Sequence, residues 1–205
     1  MRKKYSSFLI GGKKLKVLPK KRWKKILLTA ILIMIIVSAS LLIYANFGMN
    51  KDVVTELVIK NPDGLKTALI LYHPGLSSFS HDVSYAFAEG LTTNNWRVEI
   101  TTPSVEAPTN LSKYDLLVIS SNTYGFNPDT PTFRHLERMG NLNGIETVLI
   151  TLGAGTAEDS KLIFEDLVGS HNGTIIESLL LYSLAPNKND KKATEIAEQI
   201  ASEIV

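Results

Sequence analysis

Residues 26–44, ILLTAILIMIIVSASLLIY, are 19 consecutive positions without a charged side chain. As a helix rising about 1.5 Å per residue, such a run crosses roughly 30 Å of hydrocarbon. Trp23 and Tyr44 flank it, where amphipathic rings favour the two membrane interfaces. A cleaved signal peptide has a shorter apolar core and a shorter leading segment. Residues 26–45 therefore read as an uncleaved, single-pass transmembrane signal anchor.

The formal charge of +2 hides a sharp division. The first 25 residues hold 11 of the 22 Lys and Arg and none of the 20 Asp and Glu. Residues 51–205 hold the other 11 basic residues and all 20 acidic ones, a net −9. By the positive-inside rule the basic tail, 1–25, stays cytoplasmic and the domain lies on the outer side. Each Lys or Arg near an anionic leaflet adds about 1 kcal/mol, so the membrane accounts for the tail and no nucleic acid is invoked. The chain has no cysteine, which excludes disulfides, zinc-thiolate sites, iron–sulfur clusters and a Cys nucleophile. No His or carboxylate pair has metal-ligand spacing, so no metal site is expected.

Residues 46–65 read as a linker. It includes VVTELVIK, a candidate short strand, and the turn Asn61-Pro62-Asp63-Gly64. From residue 66 to 205 strands alternate with helices. Thr67–Tyr72 and Leu116–Ser120 are continuous apolar runs, the pattern of strands buried on both faces, and Glu146–Leu152 is a third strand of the same kind. Trp96–Thr101 (WRVEIT) alternates and reads as an edge strand, and Thr174–Ser183 is a fifth. Helices carry Val83, Phe87 and Leu91; then Phe133, Leu136 and Met139 behind an N-cap at Thr130 and a first-turn Pro131; then Leu162, Ile163 and Leu167 behind a cap at Thr156; and last Ile196, Ile200 and Ile204. Residues 102–114 lack helical periodicity, so that crossover is expected to be irregular. Alternation of this kind predicts a parallel α/β sheet, doubly wound, with helices on both faces.

In such sheets ligands bind beyond the carboxyl ends of the strands, and three loops there are unusual. His73-Pro74-Gly75-Leu76-Ser77-Ser78-Phe79-Ser80 is rich in hydroxyls and runs into a helix, the setting in which free N–H groups meet a phosphate. Ser121-Asn122-Thr123-Tyr124-Gly125-Phe126-Asn127-Pro128 is aromatic, and Tyr124 or Phe126 offers a face for ring stacking. Gly153-Ala154-Gly155-Thr156 is small enough for a flat ring to approach the backbone. None of the three contains Lys or Arg. Together they describe a socket for a mononucleotide with a large planar ring.

Those residues resemble the flavodoxin family. TALILYHPGLSSFSHDVSYAFAEGL is similar to its first strand, phosphate loop and first helix; YDLLVISSNTYGFNP and VLITLGAG are similar to its third and fourth strands with their flavin-flanking loops. The resemblance spans residues 66–205 and implies a five-stranded parallel sheet in the order 2-1-3-4-5, bound FMN, and electron transfer to a redox partner protein. Position by position, it places the phosphate loop on Ser77, Ser78 and Ser80, and the ring-flanking loops on Asn122, Thr123, Tyr124, Gly125, Gly153, Ala154 and Gly155. The phosphate loop departs from the family's usual Thr/Ser-x-Thr-Gly-x-Thr: it lacks the Gly and is one residue longer. Three functions follow. An electron carrier is favoured over a substrate-turning oxidoreductase such as an FMN-dependent quinone reductase, for which no long insertion provides room. The third is an anchored binding or scaffold module with a decayed flavin site. Hydrolase, phosphoreceiver, dinucleotide-fingerprint and Walker motifs are missing from the sequence.

Overall fold

A computed structural model describes residues 7–10, 13–16 and 20–205; the rest of the basic tail lies outside the described residues. The chain forms two compact units, Met1–Asn46 and Phe47–Val205. In the first, strands β1 (Ser7–Ile10) and β2 (Lys13–Lys16) pair antiparallel. Helix α1 runs from Lys20 to Asn50 and passes into the second unit. Its stretch Arg22–Asn50 is long and apolar enough to cross a membrane, and its most apolar window is exposed among the described residues.

The second unit is built on a sheet. Five strands run parallel: β4 (Lys66–Tyr72), β5 (Trp96–Thr101), β6 (Leu116–Tyr124), β8 (Glu146–Gly153) and β9 (Thr174–Tyr182). Across the sheet they lie in the order β5-β4-β6-β8-β9, the 2-1-3-4-5 order expected. A sixth strand, β3 (Val58–Lys60), adds antiparallel to the outer side of β5. Strand β7 (Asn127–Pro128) folds back on the end of β6 as a hairpin.

WRVEIT is therefore an inner strand rather than an edge. Its alternation came from Arg97 and Glu99, yet Glu99 is 2 % exposed. Arg97 and the hydroxyl of Tyr114 donate to its carboxylate, and Lys113 pairs with it at 2.7 Å, so the charge is tolerated inside because its lone pairs are filled.

Helices cover both faces, as alternation along the chain requires. On one side α2 (Phe79–Thr93) and α5 (Ala193–Ser202) pack over Ile70, Val98, Val118 and Ile150. On the other, α3 (Thr130–Met139) and α4 (Glu158–Ser170) pack over Leu69, Leu117, Ile119 and Leu149. In α2 the expected stripe of Val83, Phe87 and Leu91 is buried. The others turn differently. α5 seats Ala193, Ala197 and Ala201 innermost, with Ile196, Ile200 and Ile204 at the margin. It lies so close to α2 that a Cβ on Gly90 would fall 2.2 Å from the Glu198 carbonyl oxygen. α4 buries Phe164 and Val168 and leaves Leu162 and Ile163 exposed, the larger aromatic ring taking the core position. It starts at Glu158, with no side-chain cap from Thr156. In α3 the cap is Asp129, one residue before the Thr130 expected, and Phe133 is exposed while His135 and Leu136 are buried.

The stretch from Phe47 to β3 is bound to the carboxyl rim of the sheet. The Lys51 carbonyl accepts from His73 Nε2 at 3.1 Å. Thr102 donates to the Val53 carbonyl, Thr101 to that of Thr55, and Thr130 to the Asn50 side chain.

Candidate functional site

All three loops singled out from the sequence follow parallel strands, β4, β6 and β8, at adjacent positions in the sheet. They converge on one cleft of about 160 Å³, lined by Leu76, Ser77, Phe79, Asn122–Tyr124, Leu152–Ala154 and Ser183. The first two loops are tied together. Asn122 Nδ2 donates to the His73 carbonyl at 2.7 Å, and the Leu76 amide donates to the Tyr124 hydroxyl. Gly75, at φ +67°, sits between these partners: a Cβ there would lie 2.7 Å from Tyr124 Oη and 2.9 Å from Asn122 Nδ2. A left-handed conformation pressed that close to two side chains needs glycine.

Beneath the cleft Asp129 holds the end of β6 to the start of α3. Its carboxylate accepts from the Thr132 amide (2.9 Å), the Ser121 hydroxyl (2.9 Å) and the Asn122 amide (2.8 Å). His73, 1 % exposed, stands 3.9 Å from it through Nδ1. Because a carbonyl only accepts, the bond to Lys51 puts a proton on Nε2. Burial, with the charge of Asp129 second, raises the Tyr124 phenol above its ordinary pKa and opposes the Leu76 bond. The phenol therefore stays neutral as an acceptor for the loop.

At the head of α2, Ser78 takes the cap position with helical torsions and no capping bond from its side chain. The Phe79 amide reaches Ser77 Oγ at 3.4 Å. Among the described residues, no protein group accepts from the amides of Ser77, Ser78, Ser80 or His81. Ser80 Oγ is likewise buried without a partner. Four open amides at the positive end of a 15-residue helix are an anion-binding arrangement.

Of the ten residues expected, Ser77, Asn122, Thr123, Tyr124, Gly153 and Ala154 line the cleft. Ser78 and Ser80 belong to the helix start beside it. Gly125 and Gly155 lie elsewhere: the first makes the β6–β7 turn at φ +57° with nothing near it, and the second faces Ala185. Gly153 is small to admit Ala157, 2.7 Å from where a Cβ would be. Tyr124 spends its hydroxyl on the first loop, and Phe126 is exposed at the hairpin tip. Leu76, Phe79, Leu152 and Ser183 line the cleft in addition to the residues expected. Ser183 comes from a fourth strand-end loop, held because its amide donates to the Gly153 carbonyl at 2.9 Å. A larger cavity, about 600 Å³, lies at the opposite end of the sheet beside Leu111, Tyr114, Met139 and Leu142. It is remote from the open amides.

No protein-family model matches the chain, and no curated protein matches it. Solved structures do. A flavodoxin from the domain Archaea superposes with a TM-score of 0.55 at 13% identity, covering 67% of this chain and 95% of that one. Flavodoxin 2 from Bacillus cereus gives 0.54 at 18%, covering 66% and 94%. The flavodoxin of Megasphaera elsdenii gives 0.53 at 12%, covering 65% and 98%. Fold and cleft thus define a class, the doubly wound α/β proteins with a ligand cleft at the switch in strand order. Within that class the second unit has the flavodoxin-like fold, preceded in this chain by one apolar helix.

Proposed function

We propose that the chain is a single-pass membrane protein that binds FMN in the cleft and carries electrons to a redox partner. The observation that supports this is the set of open amides at Ser77, Ser78, Ser80 and His81, adjoining a cleft built by three switch-point loops. These groups fit the phosphate: its charge would meet N–H dipoles and the Ser77 hydroxyl, with no basic side chain in the cleft lining. Thr123, Tyr124, Gly153 and Ala154 would flank the ring. Asn122 and Gly75 would fix the distance between phosphate loop and ring loop through the tie at His73 and Tyr124. Bound flavin supplies reversible one- and two-electron chemistry. The −9 charge of residues 51–205 would steer the domain to basic faces of its partners and away from anionic lipid. The basic tail supports a cytoplasmic N-terminus with the domain on the other side.

The test is a titration of the full chain in detergent with FMN, following quenching of flavin fluorescence. Saturation at one flavin per chain is expected. No quenching with micromolar protein and flavin would leave an anchored scaffold with a decayed site.

A further inference from the structure

We propose that the flavin site continues past Phe79 into a second compartment that takes the AMP half of a flavin dinucleotide, so that FAD binds more tightly than FMN. This rests on the flavin reading above. The first cleft, about 160 Å³, is walled by Phe79 and Ser183 on one side. Next to it lies a cavity of about 460 Å³ that shares Phe79 and Ser183 as walls. The head of α2, where the anion would sit, stands between the two, since Phe79 is its first residue.

The second compartment has the parts a nucleotide needs. Phe79 and Tyr182 supply aromatic walls for a purine. Among the described residues Lys192 is the one cationic residue lining either cavity, and it stands at the head of α5, where no side chain caps the helix. It brings to a pyrophosphate the charge that the three loops lack. Asp82 is there too, and the hydrogen bond from His81 holds its carboxyl below the ordinary range. A carboxylate so placed accepts from a ribose diol, as in dinucleotide sites of other folds. The wall is preformed. Asn187 folds back on Tyr182, accepting from its amide at 2.8 Å and donating to its carbonyl at 2.9 Å. Leu184 donates to the Ala154 carbonyl at 3.0 Å. The segment from Ser183 to Lys192 thereby supplies space that no long insertion was needed to provide.

Equilibrium dialysis of the full chain in detergent against FMN and against FAD tests this, with Ala185→Trp to fill the second compartment and Lys192→Glu to reverse its charge. FAD is expected to bind about tenfold or more tightly than FMN, a difference of about 1.4 kcal/mol. Each variant should weaken FAD about tenfold and leave FMN within about twofold. Lys192, exposed on the surface, can be changed without disturbing the core, so misfolding of the Trp variant leaves the test intact. FAD no tighter than FMN, or FAD binding untouched in Lys192→Glu, overturns the second compartment while FMN binding stands. Binding of neither flavin overturns both readings.

Discussion

Glu99 sits in the middle of a buried strand because Arg97, Lys113 and Tyr114 all donate to its carboxylate. Burial pushes its carboxyl upward, but bonds from Lys113, Tyr114 and Arg97 outweigh that and hold it below the usual range. Burial and the nearby Glu99 charge push the Tyr114 phenol well above its ordinary value, so the pair shares one proton, on Tyr114. Because the folded pKa is depressed, the stabilisation is complete above the ordinary Glu value of about 4.3 and is lost as pH falls through the lower folded one. Glu99→Gln should cost about 2–3 kcal/mol at pH 7. Urea unfolding measured from pH 7 to 3 should show the variant losing less stability on acidification than the parent. At this scale the sequence misled. A charged residue two places from Arg97 looked like a solvent-facing strand position, and nothing local announces that Lys113 and Tyr114, 14 and 15 residues on, will meet it.

For single elements, the apolar runs announced the central strands well, because burial on both faces leaves no polar position to blur the pattern. Helix faces were harder to read. α4 offers five apolar residues between positions 162 and 168, enough for two stripes, and only packing against Leu149 and its neighbours chooses Phe164 and Val168. Asp129 was overlooked because Thr130-Pro131 is itself a good helix opening. Yet Asp129 caps α3 and pins Asn122, a cleft residue, through its amide. Asp129→Ala should therefore cost about 2–4 kcal/mol, cap and buried bonds together. Thermal unfolding would measure that loss, and weaker FMN binding should accompany it even where the variant remains folded. The place of the cleft, beyond the carboxyl ends of adjacent parallel strands, was legible in advance. Gly125 and Gly155 were not separable from Gly153, since a glycine's role depends on whether it turns a chain, faces an open side or admits a neighbour.

For the whole molecule, the division into apolar helix and acidic domain was visible in charge alone. Full chain in native membranes should resist alkaline carbonate extraction, whereas a chain starting at Phe47, the first residue of the second unit, should be released. Protease added to intact cells should degrade the domain while the basic tail survives. The segment leading from helix to domain, where VVTELVIK reads as a short strand, is part of the sheet. Its three-residue strand β3 covers the hydrogen-bonding edge of β5, and an uncovered edge is a template on which further copies pair. A domain cut loose at residue 66 would carry that edge bare. The segment that leads into the domain thus also protects it from clumping with its own kind.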